Sequence, residues 1–131
     1  MSGAPSLSSG DRQTVLLVED ERLVRELLTE FLETAGYPVL AAADAESAHS
    51  LAGGASPHPP DVLISDLALP GQNGIDLFRA LKRLLPQLKA LFISGCASDE
   101  TFTAAAAALG VPILTKPFTR DVLLHALNTL K

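Results

Sequence analysis

The sequence predicts an α/β protein built on a doubly wound parallel sheet. Five short aliphatic runs alternate with five segments of helical period, the pattern of strands joined by crossover helices. The strongest runs, such as Val15-Leu16-Leu17-Val18 and Val62-Leu63-Ile64, are apolar without interruption, as strands covered on both faces must be. Four runs close on a polar tip: Glu19-Asp20, Asp66, Ser94 and Lys116. Parallel strands would bring those four tips to one edge of the sheet.

Each element has its own local reason. Thr14–Val18 is the first strand by its aliphatic run. A helix over Glu21–Ala35 follows from Leu23, Leu27, Phe31 and Leu32 at helical spacing, with Gly36 placed to end it. Pro38–Ala42 is a weaker second strand. Ala45–Leu51 is a short helix with Asp44 as N-cap. Gly53–Pro60, rich in Gly and Pro, is excluded from helix and central strand and reads as the loosest internal loop. Val62–Ser65 is the third strand. Ile75–Leu85 is a helix that Asn73 can cap and Pro86 stops, with Leu77, Phe78, Leu81, Leu84 and Leu85 on one side. Leu88–Ile93 is the fourth strand. Glu100–Leu109 is an alanine-rich helix, capped by Ser98 or Asp99 and ended by Gly110. Val111–Thr115 and Arg120–Leu130 complete the series.

Right-handed crossovers restrict how five such units can be wound. The flavodoxin-like (βα)5 order 2-1-3-4-5 makes the first and third strands neighbours at the switch point, where open α/β sheets place ligands. Glu19, Asp20 and Asp66 then become neighbours. Residues 1–12, rich in Ser and Gly and without periodicity, read as a disordered tail, a linker remnant or an expression scar, and residues 13–131 as one domain. No internal repeat is visible.

Composition narrows the function classes. With 47% apolar residues the chain can build a full core, so disorder throughout is excluded. A net charge of −5 and the absence of any basic run argue against direct contact with nucleic acid. No apolar stretch approaches a membrane span, and the first residues lack the charged and apolar regions expected of a signal peptide. Cys96 is the sole cysteine and cannot form an internal disulfide, which fits a cytoplasmic location.

Three carboxylates gathered at one edge repel, and burial would force one of them to keep a proton unless a cation intervenes. An oxygen-only donor set favours Mg²⁺. With a metal present, Asp66 can act as a nucleophile toward phosphorus and form an acyl phosphate. The charge on the transferring group can be met by the metal, the Lys116 ammonium and the Ser94 hydroxyl. Taken singly these residues have plainer explanations. Asp66 could be a turn residue, Glu19-Asp20 a helix opener, Ser94 a turn hydroxyl, and Lys116-Pro117 an ordinary strand end. Their joint placement at the tips of four strands selects the functional reading. His49, His58 and His125 lack metal spacing. Cys96 has no His partner, the Ala104–Ala108 run reads as close helix packing, and neither a dinucleotide fingerprint nor a P-loop occurs.

From about Thr14 to Leu130 the chain resembles the receiver domain of two-component response regulators. The resemblance rests on Val15-Leu16-Leu17-Val18-Glu19-Asp20-Glu21, the stretch Asp61 to Gly74 around Asp66, Phe92-Ile93-Ser94-Gly95, and Thr115-Lys116-Pro117-Phe118. It implies that Asp66 is the phosphoacceptor, taking a phosphoryl group from a phosphohistidine on a sensor histidine kinase or a His-phosphotransfer protein. It implies direct Mg²⁺ ligation by Asp20, Asp66 and the backbone carbonyl of Ala68, with Glu19 helping through water. Ser94 and Lys116 would contact the phosphoryl oxygens, and Gly95 would leave access open. Movement of Ser94 would then bias the face built from the fourth helix, fifth strand and fifth helix. The domain would catalyse only its own phosphorylation and dephosphorylation. A free-standing regulator and the C-terminal receiver of a hybrid sensor kinase fit equally, as do a monomer and a weak homodimer; the apolar arc Val122, Leu123, Ala126, Leu127 and Leu130 of the last helix permits dimerisation or kinase docking and requires neither.

The chain departs from the family pattern at named positions. Glu19-Asp20 stands where Asp-Asp is frequent. Ile113 stands where an aromatic residue often reports phosphorylation by rotating. Ala68 and Cys96 hold positions that tune hydrolysis, and neither orients water well, so the aspartyl phosphate is expected not to be unusually short-lived. The rival reading is a pseudo-receiver, a phosphorylation-independent interaction module of the same fold. The complete set of five polar residues argues against it. A phosphatase with a strand-one nucleophile would need Asp-x-Asp, and a flavin carrier would need a Ser/Thr/Gly-rich phosphate loop; the sequence has neither.

Overall fold

The computed structural model describes residues 13–55, 58–69, 71–95 and 100–130. The expected tail, Cys96 and the caps Ser98 and Asp99 lie outside the described residues. Five parallel strands form the main sheet: β1 (Val15–Val18), β2 (Val39–Ala42), β3 (Val62–Asp66), β4 (Lys89–Ser94) and β5 (Ile113–Thr115). Their spatial order is β2-β1-β3-β4-β5, the doubly wound order expected. The helices are α1 (Arg22–Thr34), α2 (Ala45–Ser50), α3 (Gly74–Leu84), α4 (Glu100–Leu109) and α5 (Arg120–Asn128).

Strand periodicity divides the core in two. Successive side chains of a strand point to opposite faces. Leu16, Val18, Leu63, Ala90 and Phe92 therefore pack with Ala48, Leu77, Phe78, Leu81 and Ala106, beneath α2, α3 and α4. Val15, Leu17, Val62, Ile64, Leu91 and Ile93 pack with Leu28, Leu32, Leu123 and Leu127, beneath α1 and α5. Complete burial of β1 and β3 explains why their runs carry no polar alternation. Phe78 and Phe92 meet edge to face, with ring centroids 6.1 Å apart.

Helix boundaries follow local chemistry. The Asp44 carboxylate accepts the Ser47 N–H, and Asn73 Oδ1 accepts the Asp76 N–H at 2.8 Å, so both expected caps form. Thr119 caps α5 in the same way, which was not anticipated. Gly36 and Gly110 take positive φ just past α1 and α4.

Three expectations require correction. Residues 51–55 continue α2 as a wide helical turn, although Gly53 and Gly54 predict loop; the chain leaves helical geometry at Gly54, with φ of 124°. Residues 56–57 lie outside the described residues. In α1 the row facing the sheet is Leu28 and Leu32, supported by Val24 and Phe31, whereas Leu23 is 77% and Leu27 49% exposed. Two adjacent helical rows are apolar there, and only one can face the strands. In α3 the expected stripe loses one member: Leu77, Phe78 and Leu81 are buried and Leu85 packs half-buried against them, whereas Leu84 is exposed. A two-residue antiparallel ladder, Ala68–Leu69 with Gln72–Asn73, also links β3 to α3. No helix among the described residues is long and apolar enough to cross a membrane.

Candidate functional site

Register delivers the polar tips to one edge. Val18 is paired with Ser65 and Asp66 with Ile93, so Glu19 emerges beside Asp66 and Ser94 one residue beyond. Ser94 pairs with Thr115, which places Lys116 next. The Lys116 N–H donates to the Ser94 carbonyl at 2.8 Å and the Leu67 N–H to the Ile93 carbonyl at 3.0 Å, so the tips are held by backbone bonds as well. The Lys116–Pro117 peptide is cis.

The acids converge as the sequence predicts. Glu19, Asp20 and Asp66 each offer a carboxylate oxygen, and the three oxygens lie within 4.8 Å of one another. Glu19 is buried, Asp66 nearly so at 9% exposure, and Asp20 is exposed. Lys116 Nζ stands 3.5 Å from Glu19 Oε1 and 3.7 Å from Asp66 Oδ1. Lys116 thus pairs with two of the three clustered carboxylates, and the acidic excess is the demand a divalent cation would meet. Burial is the main cause that pushes Asp66 up to about 7, with the adjacent Glu19 carboxylate adding to it and Lys116 opposing it. Oxygen donors, their spacing and this charge imbalance together fit a hard cation such as Mg²⁺.

The loops are braced by contacts that the sequence does not reveal. Glu19 Oε2 accepts the Glu21 N–H at 3.0 Å. Arg25 Nη1, reaching back from α1, donates to the Glu19 carbonyl at 2.8 Å. The wholly buried Ser65 hydroxyl donates to the Asp66 carbonyl at 2.9 Å. The Gly74 N–H donates to the Leu67 carbonyl at 2.7 Å. A Cβ at Gly74 would collide with the Asp66 carbonyl oxygen and lie 3.2 Å from Ser65 Oγ, so only glycine lets α3 start this close to β3. Gly74 belongs to the motif read in the sequence, but its crowding needs the folded backbone to be seen. Gly95 lies against the Lys116 stem without crowding.

This geometry coincides with a family match. A model of the response regulator receiver domain matches residues 15–128. The chain belongs to the response regulator receiver family. This receiver is 33% identical to the response regulator receiver protein CpdR of Brucella abortus, over 79% of this chain and 84% of that protein. It is 30% identical to the phosphate regulon transcriptional regulatory protein PhoB of Pseudomonas aeruginosa, over 90% of this chain and 51% of that protein. The receiver thus spans about half the length of the first curated relatives it matches. Among solved structures, the chemotaxis response regulator CheY4 of Vibrio cholerae superposes with a TM-score of 0.79 at 29% identity, covering 92% of this chain and 99% of that one.

Proposed function

We propose that this receiver is a phosphoacceptor that takes a phosphoryl group from a phosphohistidine onto Asp66 and thereby switches a partner-binding face. The observation that carries the reading is the convergence of the Glu19, Asp20 and Asp66 carboxylates with the Lys116 ammonium at one sheet edge. Membership of the receiver family supports it. The donor is a sensor histidine kinase or a His-phosphotransfer protein, and the setting is the cytoplasm.

An Asp66 carboxylate oxygen attacks phosphorus. The N–P bond of the donor breaks, its electron pair returns to the imidazole nitrogen, and an acyl phosphate forms on Asp66. Lys116 holds positive charge 3.7 Å from Asp66 Oδ1, where phosphoryl oxygens would arrive, and Ser94 donates its hydroxyl to another. Asp20, Asp66 and the Ala68 carbonyl would hold Mg²⁺, with Glu19 in support. When bound, the metal supplies positive charge that lets Asp66 shed its proton and offsets phosphoryl charge.

Ser94 is the link from phosphorylation to the α4-β5-α5 face, since β5 pairs with β4 directly beside it. Ile113, half-buried against the α3 and α4 side, takes the place of an aromatic reporter, so rotation of a ring at this position cannot carry the coupling.

Incubation with acetyl phosphate and Mg²⁺, followed by intact mass, tests the reading. The expected result is the gain of one phosphoryl group, lost in Asp66→Ala and on omission of the metal. An unmodified wild-type mass with both acetyl phosphate and a cognate kinase would overturn it and favour a phosphorylation-independent interaction module.

A further inference from the structure

The geometry points to Arg25 as a positioning residue for Asp20, acting through the backbone of the β1–α1 turn. The inference rests on the phosphoacceptor reading and deepens it. Asp20 is the exposed member of the acidic trio, and a solvated side chain on a loose turn would not hold a fixed place beside Asp66. The peptides on either side of Asp20 are both tied down. The Glu19 carbonyl, which belongs to the Glu19–Asp20 peptide, accepts from Arg25 Nη1 at 2.8 Å. The Glu21 N–H, which belongs to the Asp20–Glu21 peptide, donates to Glu19 Oε2 at 3.0 Å. Glu19 itself is anchored by burial and by Lys116. Arg25 sits in the first turns of α1, half-buried, and its donor is charged, so this bond is stronger than a neutral one. Arg22, three residues earlier, pairs outward with Glu26 at 3.0 Å and is largely exposed. The two arginines separate charge from positioning.

Charge and position make opposite predictions. A nearby cation repels Mg²⁺, so removing it for its charge alone should tighten metal binding. Removing a strut that fixes a ligand-bearing loop should weaken it. Mg²⁺ titration by isothermal calorimetry, on wild type, Arg25→Gln, Arg25→Lys and Arg22→Gln, reads the sign. The expected result is a Kd about tenfold weaker in Arg25→Gln, the loss of one charge-assisted bond. Arg25→Lys, which keeps charge and a donor, should recover most of the affinity, and Arg22→Gln should equal wild type or bind slightly tighter. Thermal unfolding without metal should differ little between Arg25→Gln and Arg22→Gln, which separates positioning from global destabilisation. An Arg25→Gln affinity equal to or tighter than that of Arg22→Gln overturns the assignment. Failure of wild type to bind Mg²⁺ at all would instead remove the phosphoacceptor reading on which it stands.

Discussion

Asp66 has a different proton affinity in the folded and unfolded chain, and the difference has a sign that can be measured. Its carboxyl is pushed up from 3.8 to about 7, first by burial and then by Glu19. Between those values the metal-free folded state keeps a proton that the unfolded state has lost. Stability therefore falls as pH rises through this window, and the penalty is complete above pH 7. Asp66→Asn removes the titration. In a metal chelator it should be more stable than wild type at pH 8, by at most about 4 kcal/mol, and the gain should shrink toward zero near pH 4. Urea unfolding at a series of pH values checks this, and a gain independent of pH would contradict it. Lys116 works in the opposite sense on the same carboxyl. Lys116→Met should leave the fold intact yet slow phosphorylation from acetyl phosphate by roughly a hundredfold, the scale of losing one transition-state charge partner, measured by the rise of the phosphorylated mass.

At the scale of elements, the start of α3 couples helix stability to the site. Asn73 caps the helix through Oδ1, and Gly74 begins it against the Asp66 carbonyl. Asn73→Ala should cost about 1 kcal/mol by loss of the cap, visible as a lower urea midpoint with phosphorylation retained. Gly74→Ala is a different event, because the added methyl meets backbone that belongs to β3. It should cost at least about 2 kcal/mol through overpacking and displace Asp66, so stability and phosphorylation fall together. Were Gly74→Ala to phosphorylate at the wild-type rate, the crowding argument would be wrong. The exposed Leu23 and Leu27 belong to the same scale: α1 carries two apolar rows, and the sheet covers one.

For the whole molecule, the proposed Mg²⁺ site would link metal binding, protonation and folding. On that reading Mg²⁺ would displace the proton that Asp66 holds, so apparent affinity should rise about tenfold per pH unit below 7 and level off above it. Calorimetry in buffers of different ionisation enthalpy should show about one proton released per metal at pH 6 and almost none at pH 8. At a fixed Mg²⁺ concentration a hundredfold above its Kd at pH 8, the metal should add about 2.7 kcal/mol to stability at that pH, and the same concentration should raise Tm less at pH 5. A proton count insensitive to pH would disconnect Asp66 from the metal.

The order of elements, the parallel sheet and its strand order follow from the sequence, because uninterrupted aliphatic runs alternating with helical periods leave few ways to cover both faces of a sheet. The polar tips were legible for the same reason: a residue that ends a buried strand must lie at the sheet edge. The sequence could not choose between the two apolar rows of α1, since periodicity defines a stripe but not which stripe meets the strands. Nor could it show that Arg25 reaches the Glu19 carbonyl, that Ser65 and Gly74 enclose the Asp66 carbonyl, or that the raised carboxyl is that of Asp66. Those depend on distances between segments far apart in the chain, or on backbone direction at a turn, and residue type encodes neither. Which residues reach the edge was therefore decided by local pattern, and how tightly they are held and charged there was decided by tertiary packing.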